Sequence, residues 1–172
     1  MDLINDGNGN KEIILDTEQI FKVAVLDILN KNNELKNFIM VKSTNPYCSV
    51  DFSIINTYNL TSCYVEHKRK NINSTKYDTF FIGYTKLVMI DTYYGQNTLF
   101  LVFECNDELY FCEYDEKFLT RPTKNISGGK VIEISKNECG VGMDNFTKKL
   151  IQTLMLLSLI HISEPTRLRR IS

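Results

Sequence analysis

Apolar positions recur with helical spacing early in the chain and then switch to strand-like alternation. Between Ile20 and Leu29, the residues Phe21, Val25, Ile28 and Leu29 mark one face, broadened by Val23, Ala24 and Leu26. This spacing predicts a well-buried helix over about 17–31, with Asp16 and Gln19 as its start signal. The stretch 34–47, closing with Asn45-Pro46, fits neither period. Val50, Phe52 and Ile54 then alternate with Asp51, Ser53 and Ile55, which predicts a strand with Asp51 on the face opposite Phe52. Ser62 to Arg69 alternates again, with Cys63, Val65 and His67 on one side and Tyr64, Glu66 and Lys68 on the other. Thr79 to Gly83 reads as a short third strand. Thr85 to Tyr93 reads as a helix carrying Lys86, with Thr85 a candidate N-cap. Thr98 to Phe103 is continuously apolar apart from its first residue, as in a strand covered on both faces. Asn106-Asp107 turns it into an alternating strand from Glu108 to Tyr114. Beyond Pro122 the stretch with Gly128-Gly129 reads as loop, Val131 to Ile134 adds a strand, and 145–156 is ambiguous.

Length and charge narrow the class. The chain has 172 residues, 43% of them apolar, enough for one domain with a real core. Twenty Lys and Arg against 21 Asp and Glu give a net charge of −1, which excludes a histone-like or polybasic protein. No apolar run approaches the roughly 20 residues that cross a bilayer. Met1 to Asp6 lacks the cationic start and apolar run of an export signal. A cytoplasmic, non-secreted protein is the expectation. Residues 1–12 are polar and Gly/Asn-rich, as in a flexible lead. Asp6-Gly7-Asn8-Gly9-Asn10 starts like a calcium loop but has Lys11 and Thr17 where that loop needs Gly and Glu. At the other end, Leu157 to Arg167 resembles a translated sequencing-library adapter. Residues 157–172 are therefore set aside as a non-native tail, and 13–156 is expected to be a single domain, truncated at its C-terminus. The tail carries three Arg and one Glu, so the remainder has a charge of −3.

Cys48, Cys63, Cys105, Cys112 and Cys139 form no C-x-x-C pair, and His67 is the one histidine outside the tail. Neither a zinc site nor a disulfide framework fits that pattern, which leaves reduced, mostly buried thiols. The sequons at Asn59, Asn73, Asn125 and Asn145 follow from an Asn-rich composition.

One cluster looks chemical. Glu66 and Lys68, two apart on a strand, share a face. If the strands around Asp51 and Glu66 form a hairpin through Asn56 to Thr61, the two carboxylates converge. Paired carboxylates suit a hard, oxygen-liganded cation, and an adjacent ammonium can polarise an attacking water or stabilise charge on a phosphate. A Glu-x-Lys face is also the pattern of a plain solvated strand. The basic run Lys68-Arg69-Lys70, with Lys76 nearby, suits phosphate contacts or an ordinary exit into solvent.

Asp51 followed by Glu66-His67-Lys68 resembles the D…(D/E)-x-K signature of the PD-(D/E)xK, restriction-endonuclease-like nuclease superfamily. Tyr64 to Arg69, then Tyr77-Asp78-Thr79 and Ile82 to Lys86, look like a group of small phage and large-DNA-virus proteins of that type. The resemblance covers roughly 16–115 and implies an α/β fold. Its core would be a mixed central sheet flanked by helices in the order α-β-β-β-α-β. It implies magnesium-dependent phosphodiester hydrolysis of DNA, with manganese as a substitute metal. Asp51 and Glu66 would hold the cation with the main-chain carbonyl of His67, and Lys68 would position and polarise the water. Glu18 matches an additional acidic ligand of some members. Arg69, Lys70 and Lys86 are the candidate DNA contacts. DNA is the implied partner, with no membrane, and a homodimer stays open. Two departures are Val50 in place of Pro before Asp51, and His67 in a normally apolar place. His67 reads as a buried, hydrogen-bonded histidine pointing away from Glu66 and Lys68. The alternative to a nuclease is an inactive protein of that fold that binds nucleic acid or a partner protein.

Overall fold

The computed structural model describes residues 3–5, 11–13, 17–44 and 49–160, and the side chains of 20–44 and 49–159. A hairpin of β1 (Leu3–Asn5) and β2 (Lys11–Ile13) comes first, in the segment whose polarity predicts a flexible lead. Residues 6–10, with the start of the failed calcium loop, and the cap candidate Asp16 lie outside the described residues.

Helix α1 (Thr17–Lys31) occupies the predicted span. It is not buried all round, however. Phe21, Val25 and Leu29, four apart, are at most 4% exposed, whereas Ile20 and Val23 are 51% and 55% exposed. The buried stripe is narrow, with Leu26 half-buried at its edge, because the helix lies on the outside of its layer.

The patternless stretch after α1 supplies β3 (Phe38–Lys42), antiparallel to β4 (Phe52–Asn56). Its alternation is real, with Phe38 and Met40 buried and Ile39 and Val41 exposed, but apolar residues on both faces hide it in the sequence. β4 turns into β5 (Ser62–Arg69), also antiparallel. The turn is fixed from inside. Asn56 donates its N–H to Thr61 O at 3.0 Å, Asn59 Oδ1 accepts from the Thr61 N–H and hydroxyl, and Leu60 takes a left-handed φ of 58°.

The strand at 79–83, expected as the third strand of the core, is β6 (Thr79–Gly83) of a separate small sheet. It leads directly into α2 (Tyr84–Tyr94), whose N-cap is Gly83 and not Thr85. β7 (Thr98–Glu104) returns parallel to β5, as a strand buried on both faces should, and β8 (Leu109–Glu113) pairs back on it. The region read as loop contains a hairpin of β9 (Lys124–Ile126) and β10 (Gly129–Ser135). Its two-residue turn is Ser127-Gly128, both at positive φ, as the twist of a tight hairpin requires. Then follow β11 (Gly140–Val141) and α3 (Met143–Ile160). α3 resolves the ambiguous 145–156 as helix and continues through 157–160, with Leu157 packed against the core; 161–172 lie outside the described residues.

The architecture is α/β, a mixed six-stranded sheet in the order β11-β8-β7-β5-β4-β3 with helices on both faces. One face is covered by α1 and α3, through Phe21, Val25, Leu29, Phe146, Leu150 and Leu154. The other is covered by α2 and the small sheet β6-β10-β9, through Leu87, Ile90, Ile82 and Ile132. The α-β-β-β-α-β order is present as α1, β3, β4, β5, α2, β7. Among the described residues, no helix is long and apolar enough to cross a membrane.

Candidate active site

Register builds the site. The ladder ends at Phe52 with Val65, which leaves Asp51 just past the last pair, close to Glu66 and His67. β4 begins only at Phe52, and the bend at Asp51 is tied down on both sides. The Asp51 N–H donates to Val65 O at 3.0 Å, and Asp51 O accepts from the Ser43 N–H at 2.7 Å. With its main chain fixed, the Asp51 carboxylate accepts the His67 N–H on Oδ2 at 2.7 Å. That N–H has no strand partner on this edge, because Asp51 ends the pairing with β4. A strand residue sends its N–H and C=O to the same edge, so the His67 carbonyl leaves beside the Asp51 carboxylate.

Glu66 points to the α2 side and is 1% exposed. Lys68 Nζ lies 2.8 Å from its Oε1, from two residues along the same strand face. Lys86 Nζ, from the first turn of α2, lies 3.0 Å from Oε2. Two ammonium groups thus bracket one buried carboxylate. Lys68 acts on Glu66 through its charge and a hydrogen bond, and Lys86 through its charge. Burial pushes the Glu66 carboxyl above its ordinary range, and the charge of Asp51 pushes it further. Lys68 and Lys86 oppose both effects without cancelling them.

His67 points the other way. Its ring stacks on Phe21 with centroids 4.7 Å apart, and Nε2 pairs with Glu104 Oε2 at 2.8 Å. Arg69 Nη1 takes the other Glu104 oxygen at 2.9 Å and Cys105 O at 3.1 Å. The expected buried, hydrogen-bonded histidine is what stands there, and only its main chain reaches the carboxylates. Arg69 is engaged in the same network. Lys70 is half-buried, with its N–H donated to Glu104 O at 2.8 Å. Glu18 lies on α1, and its side chain is outside the described ones.

Two residues gain roles that sequence reasoning did not assign. Glu104 joins β7 to the ends of β5 through His67 and Arg69; its signal is a lone carboxylate closing an apolar strand. Lys86, a candidate DNA contact by sequence, is paired with Glu66 itself. Its signal is the position just before the buried Leu87 in a helix that starts directly from a strand.

No protein-family model matches the chain, and no curated protein matches it. One solved structure similar to it is that of Hjc, a Holliday junction resolvase from the archaeal hyperthermophile Archaeoglobus fulgidus. The identity is 10%, over 69% of this chain and 88% of that one, with a TM-score of 0.43.

Among the described residues, no group of three or more His, Cys, Asp or Glu side chains is arranged to hold a metal ion. The donors at hand are two carboxylates and a main-chain carbonyl, all oxygen. That set fits magnesium, which keeps several of its waters and takes one or two carboxylates from the protein. It lacks the cysteine and histidine ligands that dominate zinc sites.

Proposed function

We propose that this chain is a metal-dependent nuclease that hydrolyses phosphodiester bonds of DNA. The observation that carries the reading is the Asp51 carboxylate held on the His67 N–H within electrostatic reach of Glu66, with Lys68 on the Glu66 oxygen. Asp51, Glu66 and the His67 carbonyl would hold a divalent cation. When bound, that cation supplies Lewis-acid polarisation of the scissile phosphate and neutralises its charge.

The rest is done by the chain. The Lys68 side chain, 36% exposed, donates a hydrogen bond to the attacking water and favours the developing hydroxide. Attack on phosphorus then breaks one P–O ester bond and leaves a phosphate end and a hydroxyl end. Lys86 offsets the Glu66 charge and adds positive potential where the phosphate gathers negative charge. His67 contributes its main chain, and its ring, stacked on Phe21, braces β5 against α1.

The test incubates plasmid and single-stranded DNA with the protein in magnesium, in manganese and in EDTA. Wild type is expected to cleave only with metal. Lys68→Ala is expected to lose at least about 100-fold in rate, the usual scale for a positioned proton-handling group. His67→Phe keeps the stacking and the main chain, so its rate should fall less than tenfold. A folded wild type that leaves every substrate intact in both metals would sink the reading.

A further inference from the structure

Cys112 and Cys139 play no part in the site above, yet the ladder sets them face to face. Gly140 pairs with Phe111 and Val141 with Tyr110, so the next pair outward is Cys139 with Cys112. The Gly142 N–H donates to Leu109 O at 2.7 Å, which marks that pair as hydrogen-bonded. Alternation then makes Cys139 and Cys112 a non-hydrogen-bonded pair, the kind in which side chains stand closest. The Cys139 N–H accordingly turns away from β8 and donates to Lys136 O at 3.0 Å. Both thiols face the α2 side of the sheet and pack against the same apolar cluster.

The register has no freedom to slip. A Cβ at Gly140 would stand 2.3 Å from Phe111 Cζ, so the Phe111 ring lies flat over the Gly140 backbone. The turn before Cys139 is held by Arg121, which grips the Glu138 carboxylate with both guanidinium nitrogens. Cys139 is half-buried and Cys112 is 8% exposed, and an open cleft of about 480 Å³ runs past Cys112, Glu138 and Gly140.

We infer that Cys112 and Cys139 are a redox-modifiable dithiol, which a small disulfide reagent closes into one cross-strand disulfide. Cys139 is the entry point. It is half-buried where Cys112 is 8% exposed, and its thiol donates to Ser135 O at 3.6 Å. The Cys139 thiolate attacks one sulfur of the reagent and expels one reagent thiolate, which takes up the proton that Cys139 released. Cys112 then attacks the Cys139 sulfur and expels the second reagent thiolate, which leaves with the Cys112 proton. Two protein thiols are oxidised and one reagent disulfide is reduced to two thiols. Along this cleft Arg121 pairs with Glu138 and Lys149 with Glu113, and Asp115 leaves the lining net negative, so a neutral reagent enters more readily than an anionic one.

The full chain is treated with 2-hydroxyethyl disulfide, alkylated, digested without reduction and mapped by mass spectrometry. The expected product is a Cys112–Cys139 linked peptide, lighter by two hydrogens than its separate parts. Cys105, whose pKa burial raises, and Cys63, pushed up to about 12, should remain alkylatable. Closing this loop is expected to raise the melting temperature by roughly 5–10 °C over the reduced protein. Cys139→Ser should abolish both the link and the shift. A persistent mixed disulfide at Cys139, or a link that joins any other cysteines, overturns the inference. The mapping is read on wild type, so it does not depend on a variant folding, and it needs no nuclease activity.

Discussion

Glu66 is held in a position that a carboxylate alone would avoid. It is buried to 1% exposure, beside Asp51, and its two lysine partners do not cancel the cost of that burial. Its pKa in the folded protein therefore lies above the ordinary 4.5. A raised folded value means that the folded state keeps a proton that the unfolded chain has already released. Stability from this group is full below about the ordinary value and is lost as pH rises through the folded one. In EDTA, denaturant melts of the wild type should thus show a component that weakens from pH 4.5 upward. Glu66→Gln should remove that component while losing cleavage, since Lys68 and Lys86 are 36% and 27% exposed and can turn to solvent. A pH profile identical in the two proteins would show that Glu66 ionises normally. His67, its neighbour, lies 0% exposed at its side chain and answers to Phe21 and Glu104 instead. Adjacent residues on one strand thus belong to opposite faces, and that division was readable from alternation alone.

At the scale of elements, what could be read depended on whether one face of a strand was polar. β5 alternates cleanly, and β7 is apolar throughout because α1 and α3 cover one side and α2 the other. β3 has apolar residues on both faces although only Phe38 and Met40 are buried, so period-2 reasoning passes over it. β6 looks like a core strand because Phe80 and Ile82 are buried. Its partner is β10, some 50 residues later, and no local signal reveals so distant a pairing. The β4–β5 hairpin was legible, and it alone decides whether Asp51 meets Glu66. Lys86 on Glu66 was not, because it needs α2 to be docked. A similar dependence on close approach occurs at β11. Adding a methyl group at Gly140 drives it into three Phe111 ring atoms at 2.3–2.8 Å, and Phe111 is itself packed on Phe146. Gly140→Ala should therefore cost about 1–3 kcal/mol by urea denaturation, as overpacking does. Shrinking the ring in Gly140→Ala/Phe111→Leu should cost less than the sum of the two single changes. Strict additivity would mean that the ring does not lie over the glycine.

Across the whole molecule, charge is nearly balanced, at −1 for the full chain. A protein of that kind cannot hold DNA by a broad positive field, so any grip on the backbone has to be local. The cations at the end of β5 divide into three groups. Arg69 is taken by Glu104, while Lys70 and Lys76 lie beyond the strand end, with the Lys76 ammonium 5.4 Å above the exposed Tyr77 ring. Lys68 and Lys86 are shared with Glu66. The phosphate contacts available on this side therefore number only a few. Counterion release sets the consequence: each neutralised phosphate contributes about −0.9 to the slope of log K against log salt on duplex DNA. Three contacts would give a slope near about −3, far from the roughly −10 of a strongly basic DNA-binding protein. Fluorescence anisotropy with labelled duplex in EDTA, where cleavage cannot run, measures this directly. Lys70→Ala should flatten the slope by about 0.9 and weaken binding alike on every sequence, as the loss of one phosphate contact does. Arg69→Ala should leave the slope unchanged, because Glu104 already holds that charge. If Arg69→Ala flattens the slope and Lys70→Ala does not, DNA lies on the α1 side of the sheet, away from Glu66, and the carboxylate pair is not where the backbone is cut.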